Sequence, residues 1–478
     1  MTPRHVHFVA IAGTGMGSLA GLLKARGVHV TGSDENVYPP MSTELERLGI
    51  PVTKGFRAEN VVARRPDLAV IGNAVRPSNP EARAVIESGI PYRSFPDALR
   101  DLAMEGKHAV VVAGTHGKTT TTSLVAFLLA ETGRDPSLLV GGIAANFGGS
   151  FRLGGGPHFV VEGDEYDTAF FDKTPKFLHY GARSLLLTSV EFDHADIYRD
   201  LDHVKQAFRA LVASLPADGA LVAATAHEGV RDVADEAPCR VVPYRAGDPE
   251  GPGFAATPIE TLSEGTRLRI FADGREAATA LLPMHGRHNV ENAAGALAVC
   301  VQLGVPLEDA AAALAGFRGV RRRQEVRGEV GGVLVVDDFA HHPTAVRETV
   351  AALRARYPQR RLVSIFEPRT NTSRRRVFQA DYARAFGGSD RVIVARVADA
   401  PIYSATGEVT ERFSADELVA DLRAGGLDAI ALDGPDAIVE HLAQAARPGD
   451  VLLVMSNGAF GNIWEKLLAR LTPAAASA

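Results

Sequence analysis

The densest chemistry in the chain lies in one run, Ala113-Gly114-Thr115-His116-Gly117-Lys118-Thr119-Thr120-Thr121, between an apolar β-type stretch and a helical pattern. Backbone amides of a glycine loop at a helix N-terminus bind phosphate oxygens, because the unpaired N–H groups and the helix dipole point the same way. Lys118 is placed to neutralise β- and γ-phosphates, and Thr119 to offer a hydroxyl to Mg²⁺. The long phosphate-loop pattern wants glycine where Val112 stands, so the match is to the shorter Gly-Thr-X-Gly-Lys-Thr form. The bland alternative is a glycine turn entering a helix beside an incidental lysine. The run reads as a nucleoside triphosphate site.

Magnesium needs further oxygen ligands. Glu162 ends an apolar strand pattern and is followed by Gly163-Asp164-Glu165-Tyr166-Asp167. A carboxylate at the end of a parallel strand points into the ligand crevice, which favours Glu162 over its neighbours. Glu191-Phe192-Asp193-His194 follows another strand in the same way. A lone histidine is more often structural, but beside a phosphate loop His194 becomes a candidate.

At the N-terminus, Gly13-Thr14-Gly15-Met16-Gly17 follows a strand, with Ser18 where a dinucleotide fingerprint wants glycine. Asp34 ends the next strand, where an acid can reach a ribose hydroxyl. NAD and a nucleotide diphosphate-sugar both fit, and a turn that merely tightens helix packing is the alternative. His288 and Asn292 stand four apart on one helical face, although helix capping by Asn289 explains part of that cluster. Asp337-Asp338-Phe339-Ala340-His341-His342-Pro343 gathers two acids and two histidines at a strand end, costly to bury and natural in a site. Arg374-Arg375-Arg376 follows Glu367-Pro368-Arg369-Thr370-Asn371; it is either a solvated face or a clamp for substrate carboxylates.

These residues need a scaffold of strands and helices in alternation. The first block reads strand 5–12, glycine turn, helix 18–26, strand 28–32, then strands 68–71 and 91–95, which is the grammar of a parallel sheet. A second block carries strands 109–113, 159–162, 184–189 and 220–223, an antiparallel insert at 244–274 and a closing helix 290–303. The basic stretch 319–323 reads as a hinge. The third block repeats the pattern with strands 333–336, 361–366, 391–394 and 451–455, and residues 473–478 read as a frayed tail. The 478 residues suit about three domains at roughly 100–200 residues each. The expected limits are 1–106, 107–318 and 319–478, in an α/β fold. A net charge of −6 excludes a generally basic nucleic-acid coat, and two cysteines exclude a disulfide framework. No apolar run is long enough for a membrane span, and the start lacks a cleavage pattern, so a cytoplasmic protein is expected.

Together the motifs resemble the Mur ligases, the ATP-dependent amino-acid ligases of peptidoglycan synthesis, nearly end to end. The phosphate loop, the acidic strand end 162–167, Asp193-His194, the 288–292 cluster, Arg322-Arg323 and the 337–343 run fall in the family's order. The resemblance implies three domains: an N-terminal Rossmann-like UDP-binding domain, a central P-loop ATPase domain and a mobile C-terminal Rossmann-like domain. It implies an acyl-phosphate mechanism in which a muramyl carboxylate attacks the γ-phosphate of ATP and an amine then attacks the acyl carbon. Lys118 and Thr119 would hold phosphates and Mg²⁺ with Glu162, and His194 would help hold a second Mg²⁺. Gly114, Thr115, His116, Gly117 and Thr120 complete the ATP loop. His288 and Asn292 would contact adenine, Asp338 the ribose, and Arg323 the phosphates. Gly15, Met16, Gly17 and Asp34 would line the UDP pocket.

Within the family, Ser33-Asp34-Glu35-Asn36-Val37-Tyr38-Pro39-Pro40-Met41-Ser42-Thr43, Glu162-Gly163-Asp164-Glu165-Tyr166-Asp167-Thr168-Ala169-Phe170-Phe171-Asp172-Lys173, Phe366-Glu367-Pro368-Arg369-Thr370-Asn371-Thr372 and Met455-Ser456-Asn457-Gly458-Ala459-Phe460-Gly461 resemble one branch. That branch joins the tripeptide L-alanyl-γ-D-glutamyl-meso-diaminopimelate to UDP-N-acetylmuramate in peptidoglycan recycling. The alternative is the branch that adds L-alanine. Asp399-Ala400-Pro401-Ile402 departs from the Asp-Asn-Pro-Arg by which a related ligase recognises diaminopimelate, so Arg369 and Arg374 take that expected role. His341 is the candidate base. Related ligases hold a magnesium with a carbamoylated lysine; Lys173 lies nearby and is not assigned that role. The expected partners are the two substrates, with neither nucleic acid nor membrane, in a monomer or weak homo-oligomer. An NAD-dependent dehydrogenase leaves the Gly-Lys-Thr loop idle, a P-loop kinase leaves the third block idle, and a nucleotide-regulated binding protein needs neither Lys118 nor Glu162.

Overall fold

The computed structural model describes residues 3–38, 41–397, 402–404 and 407–471. The expected tail 473–478 and most of the Asp399-Ala400-Pro401-Ile402 contrast lie outside the described residues. Three large sheets follow one another along the described residues, each covered by helices, beside two small two-stranded ones.

The first is a five-stranded parallel sheet whose middle strand, His5–Val9, lies between His29–Asp34 and Leu68–Ile71. Its glycine run does not remain a turn. The helix starts at Thr14, capped by Gly13, and takes Gly15 and Gly17 inside, four residues earlier than the apolar pattern suggests. Glycine is a poor helix former. Here its lack of a side chain is used for packing, since a Cβ on Gly17 would lie 2.2 Å from Met41 Sδ.

The second sheet has ten strands. His108–Ala113 lies at its heart, parallel to His158–Gly163 on one side and Ser184–Leu187 on the other. All three are near-continuous apolar runs, as strands covered on both faces must be. Register places Glu162 opposite Val112, and Leu187 opposite Ala113. The segments after all three strands therefore open onto one edge, and the phosphate loop is the middle one. The expected insert at 244–274 is instead an extension of this sheet. Arg240–Ala246 pairs in parallel with Phe254–Thr261, and Thr266–Ala272 and Arg275–Leu282 continue antiparallel. Tyr244, Ala256 and Ile270 tie those strands to the central core, which is why no separate lobe forms.

The third sheet orders its strands as Glu325–Val330, Val333–Asp338, Asp450–Met455, Arg361–Phe366, Arg391–Ala395 and Asp428–Leu432. It is parallel except for the first strand, an antiparallel edge that the hydropathy pattern did not reveal. Between the second and third sheets, Val320 bridges to Ala144, and Arg322 and Gln324 adopt positive φ of 60° and 51°. Among the described residues no helix is long and apolar enough to cross a membrane.

Candidate active site

The loop after Ala113 is held from the side by the segment after Leu187. Thr115 N–H donates to Ser189 O at 2.9 Å, His116 N–H to Ser189 Oγ at 2.9 Å, and Thr188 Oγ1 to His116 O at 2.6 Å. Gly117 caps the helix Lys118–Glu131 at φ 77°, the left-handed region that a side chain resists. A Cβ there would also meet Asn292 Oδ1 at 2.6 Å. The loop is thus pinned by the fold, leaving the first-turn amides of the helix facing the crevice.

Lys118 donates to Gly114 O at 2.6 Å and to Glu165 Oε1 at 2.9 Å. Burial disfavours its charge, but Glu165 more than offsets this and holds the ammonium protonated. Glu165 is 2% exposed and is also 3.0 Å from His194 Nε2. Burial would raise its pKa; Lys118 and His194 outweigh that and keep it ionised. Strand geometry singled out Glu162 and passed over Glu165, because Glu165 stands beyond the strand end and only the loop 164–166 turns it inward. Lys176, 2.6 Å from Asp164, and Tyr198, whose hydroxyl donates to Glu165 O at 2.8 Å, hold that loop.

Glu162 accepts from Thr119 Oγ1 at 2.9 Å and from Gly141 N–H at 2.6 Å. Burial dominates and pushes its pKa up, so the carboxylate is short of positive charge. A half-buried carboxylate in that condition, touching a threonine hydroxyl, has the oxygen-donor chemistry that suits a hard divalent cation. His194 is different. Burial opposes its charge, but Asp193 and Glu165 overcome this and raise its pKa to about 9. It stands as the cation of an ion pair, and ligating a metal requires release of its proton.

An open cleft runs from this loop toward the third sheet, and His116, Gly117, Thr120, His288, Asn292, Arg323 and Asp338 all line it. Asn289 does not cap the helix: Gly286 does, and Asn289 donates to His285 O at 2.8 Å. Asn292 is buried and donates to Asn289 Oδ1 at 3.3 Å. His288 is kept neutral chiefly by burial. Arg323 reaches back from the hinge to 3.4 Å from Thr119 Oγ1, with its guanidinium 5.0 Å above the Phe339 ring. Asp338 accepts from Gln324 N–H and Ala340 N–H, each at 2.8 Å, so it orders the turn as well as facing the cleft.

His341 is kept neutral chiefly by burial; its Nδ1 is 3.1 Å from Phe339 O and its Nε2 4.0 Å from Asp193. Arg375 donates to Ala195 O at 2.7 Å and Thr372 Oγ1 accepts from Ala195 N–H at 3.0 Å, docking the third sheet's domain on the loop that carries His194. Arg376 pairs with Glu417 at the surface, as a solvated face predicts. Arg369 is exposed and lies over Gly458, and Arg374 is half-buried near Arg412. In the first domain, Asp34 accepts from Ala12 N–H at 2.8 Å and closes the turn before the helix. Met16 and Gly17 are buried, and Gly17 N–H bonds Gly13 O at 2.8 Å, which leaves Thr14, Gly15 and Met16 amides at the open helix end.

A phosphate loop beside a half-buried strand-end carboxylate, facing a cleft bordered by a third domain, defines a class that activates a substrate with a nucleoside triphosphate. Residues 5–107 match the Mur ligase family catalytic domain, 112–300 the Mur ligase middle domain, and 322–458 the Mur ligase glutamate ligase domain. The chain belongs to the Mur ligase family and is an ATP-dependent ligase. It is 39% identical to the UDP-N-acetylmuramate–L-alanyl-γ-D-glutamyl-meso-2,6-diaminoheptandioate ligase of Escherichia coli, covering 99% of both chains. It is 34% identical to the UDP-N-acetylmuramate–L-alanine ligase of Desulfitobacterium hafniense, over 98% of this chain and 100% of that one. Among solved structures, a murein peptide ligase from Psychrobacter arcticus superposes with a TM-score of 0.72 at 33% identity, over 99% of this chain and 100% of that one.

Proposed function

We propose that this ligase joins L-alanyl-γ-D-glutamyl-meso-diaminopimelate to UDP-N-acetylmuramate, in the cytoplasm, as a monomer or weak homo-oligomer with neither nucleic acid nor membrane as partner. The observation that carries the choice of acceptor is the full-length likeness to the Escherichia coli enzyme of that name, at 39% identity. Residues 1–106 hold the UDP-sugar, 107–318 ATP, and 319–478 the peptide.

The lactyl carboxylate of the sugar attacks the γ-phosphorus, ADP leaves, and an acyl phosphate forms. The amine of the tripeptide's L-alanine then attacks the acyl carbon and phosphate departs with the C–O bond. Phosphoryl transfer is chiefly positioning and charge stabilisation. Lys118 neutralises phosphate oxygens once they replace Gly114 O beside its ammonium, and the amides of residues 114–120 cradle the chain of phosphates. Thr119 and Glu162 would hold Mg²⁺, with His194 at a second ion; when bound, the metal neutralises phosphate charge. His288 and Asn292 orient adenine, Asp338 the ribose, and Arg323 brings hinge charge to the γ-phosphate. His341 Nε2, the unprotonated nitrogen of a neutral imidazole, takes the amine's proton. Gly15, Met16 and Gly17 form the helix end that meets the pyrophosphate, Asp34 shapes its turn, and Arg369 and Arg374 receive peptide carboxylates.

Phosphate release with ATP, Mg²⁺ and UDP-N-acetylmuramate tests this. Turnover is expected with the tripeptide and not with L-alanine, and Lys118→Ala is expected to lower kcat by about 100-fold or more. Turnover with L-alanine alone overturns the choice of acceptor and establishes the second reading, which the 34% identity to the Desulfitobacterium hafniense enzyme favours.

A further inference from the structure

A second set of donors with metal-ligand chemistry spans the boundary between the central and C-terminal sheets, apart from Thr119 and Glu162. His116 comes from the phosphate loop, Glu191 from the segment after Ser184–Leu187, and His342 from the cap of the helix Pro343–Arg356. One ligand atom from each lies within 4.8 Å of the other two. His116 Nε2 is 3.3 Å from Glu191 Oε2, and His342 Nδ1 is 4.0 Å from the same oxygen. A tetrahedral ion with nitrogen and oxygen ligands at about 2.0–2.1 Å sets its donors roughly 3.3–3.4 Å apart. The first pair already has that spacing, and the second stands about 0.6–0.7 Å wider, at 4.0 Å.

The surrounding contacts suit ligation. His342 Nε2 is 3.1 Å from Phe192 O, so that nitrogen carries the proton and Nδ1 holds the lone pair; Nδ1 accepts a long 3.3 Å hydrogen bond from Thr344 N–H, which an ion would replace. Thr344 Oγ1 donates to Glu191 Oε2 at 2.7 Å and fixes the carboxylate. The other such trio, Asp97, Asp172 and His179, differs in its charge. There Arg100 pairs with Asp97 at 3.2 Å, a fixed cation beside one of the three donors.

We propose that His116, Glu191 and His342 form a site for a zinc-class ion that is complete only when the two domains dock, and that the bound ion staples them together. His116 and Glu191 also line the nucleotide cleft, so an ion there competes with ATP for the mouth of its own site. The fourth position is open to water, the coordination that two histidines and a glutamate give to zinc. The ion in question is of the imidazole-preferring class and so distinct from magnesium. Metal binding alone tests the site, independently of which acceptor the ligase uses.

Zn²⁺ is titrated into the full-length protein in competition with a chromophoric chelator. One equivalent is expected to bind. His342→Asn, which keeps a capping oxygen for the helix, and Glu191→Gln are each expected to weaken binding by about tenfold or more. Glu162→Gln is expected to leave it unchanged. Co²⁺ loading of the unaltered protein is expected to give the intense visible bands of four-coordinate cobalt, a readout that needs no variant to fold. Absence of saturable binding at micromolar Zn²⁺, unchanged affinity in either His342→Asn or Glu191→Gln, loss in Glu162→Gln, or a weak octahedral cobalt spectrum would each overturn the proposal.

Discussion

At the scale of single residues, the site is governed by how burial and charge divide three acids. Glu162 is pushed up by burial and left short of a counterion, whereas Glu165 is held ionised by Lys118 and His194. Glu191 is held at about 2: burial opposes this, but His116, Thr344 and His342 win. A similar contest, away from the chemistry, gives a pH prediction. Glu81 is fully buried in the first domain and accepts from His7 Nε2 at 2.7 Å, Ser33 Oγ at 2.6 Å and Asn60 Nδ2 at 2.7 Å. Burial raises its pKa, but those donors lower it further, to below the ordinary 4.5. Its stabilisation is therefore complete above the unfolded-state pKa and is lost as pH falls through the folded one. Glu81→Gln is expected to cost about 1–3 kcal/mol at pH 7. In denaturant melts, the gap between the two proteins should close as pH drops below the glutamate range; a gap that widens there contradicts the assignment.

At the scale of elements, the active crevice is a consequence of strand register. Three parallel strands end level, so the loops beginning at Gly114, Asp164 and Thr188 converge without any long-range design in their own sequences. The phosphate loop then depends on one left-handed residue. Gly117→Ala places a side chain at φ 77° and against Asn292 Oδ1. The strain is expected to cost about 1–2 kcal/mol. Because it falls on the loop amides, ATP affinity should drop more than global stability does. Equilibrium dialysis with ATP beside a thermal melt separates the two, and equal losses in both would show that the loop is not held as described.

At the scale of the whole molecule, Arg322 and Arg323 work in opposite directions from one hinge. Arg323 faces the phosphate loop, while Arg322 holds Asp337 at 3.1 Å, donates to Ser456 O at 2.7 Å and lies over Trp464 at 5.0 Å. The hinge is thus anchored to the third domain at one residue and turned toward Thr119 at the next. Asp337 is fully buried, with its pKa already raised by that burial. Arg322→Ala leaves it uncompensated, and a loss of about 3 kcal/mol is expected. It should appear as earlier unfolding of the C-terminal domain in a scanning calorimetry trace, and unchanged melting would remove Arg322 from the anchor.

The sequence by itself determined the features whose chemistry is local. The phosphate loop, Glu162 at its strand end and the α/β alternation of three blocks are legible because a glycine turn, a strand end and hydrophobic periodicity each act over a few residues. Boundaries moved where packing overrode propensity, as at Gly15 and Gly17, which entered a helix under Phe95 and Met41. Tertiary structure alone decided which groups meet. Arg323 and Thr119 are 204 residues apart, His342 and Phe192 150 apart, and His194 and Glu165 29 apart. Those pairings, and the protonation states they impose, arise from sheet register and domain docking, and no short-range pattern encodes either.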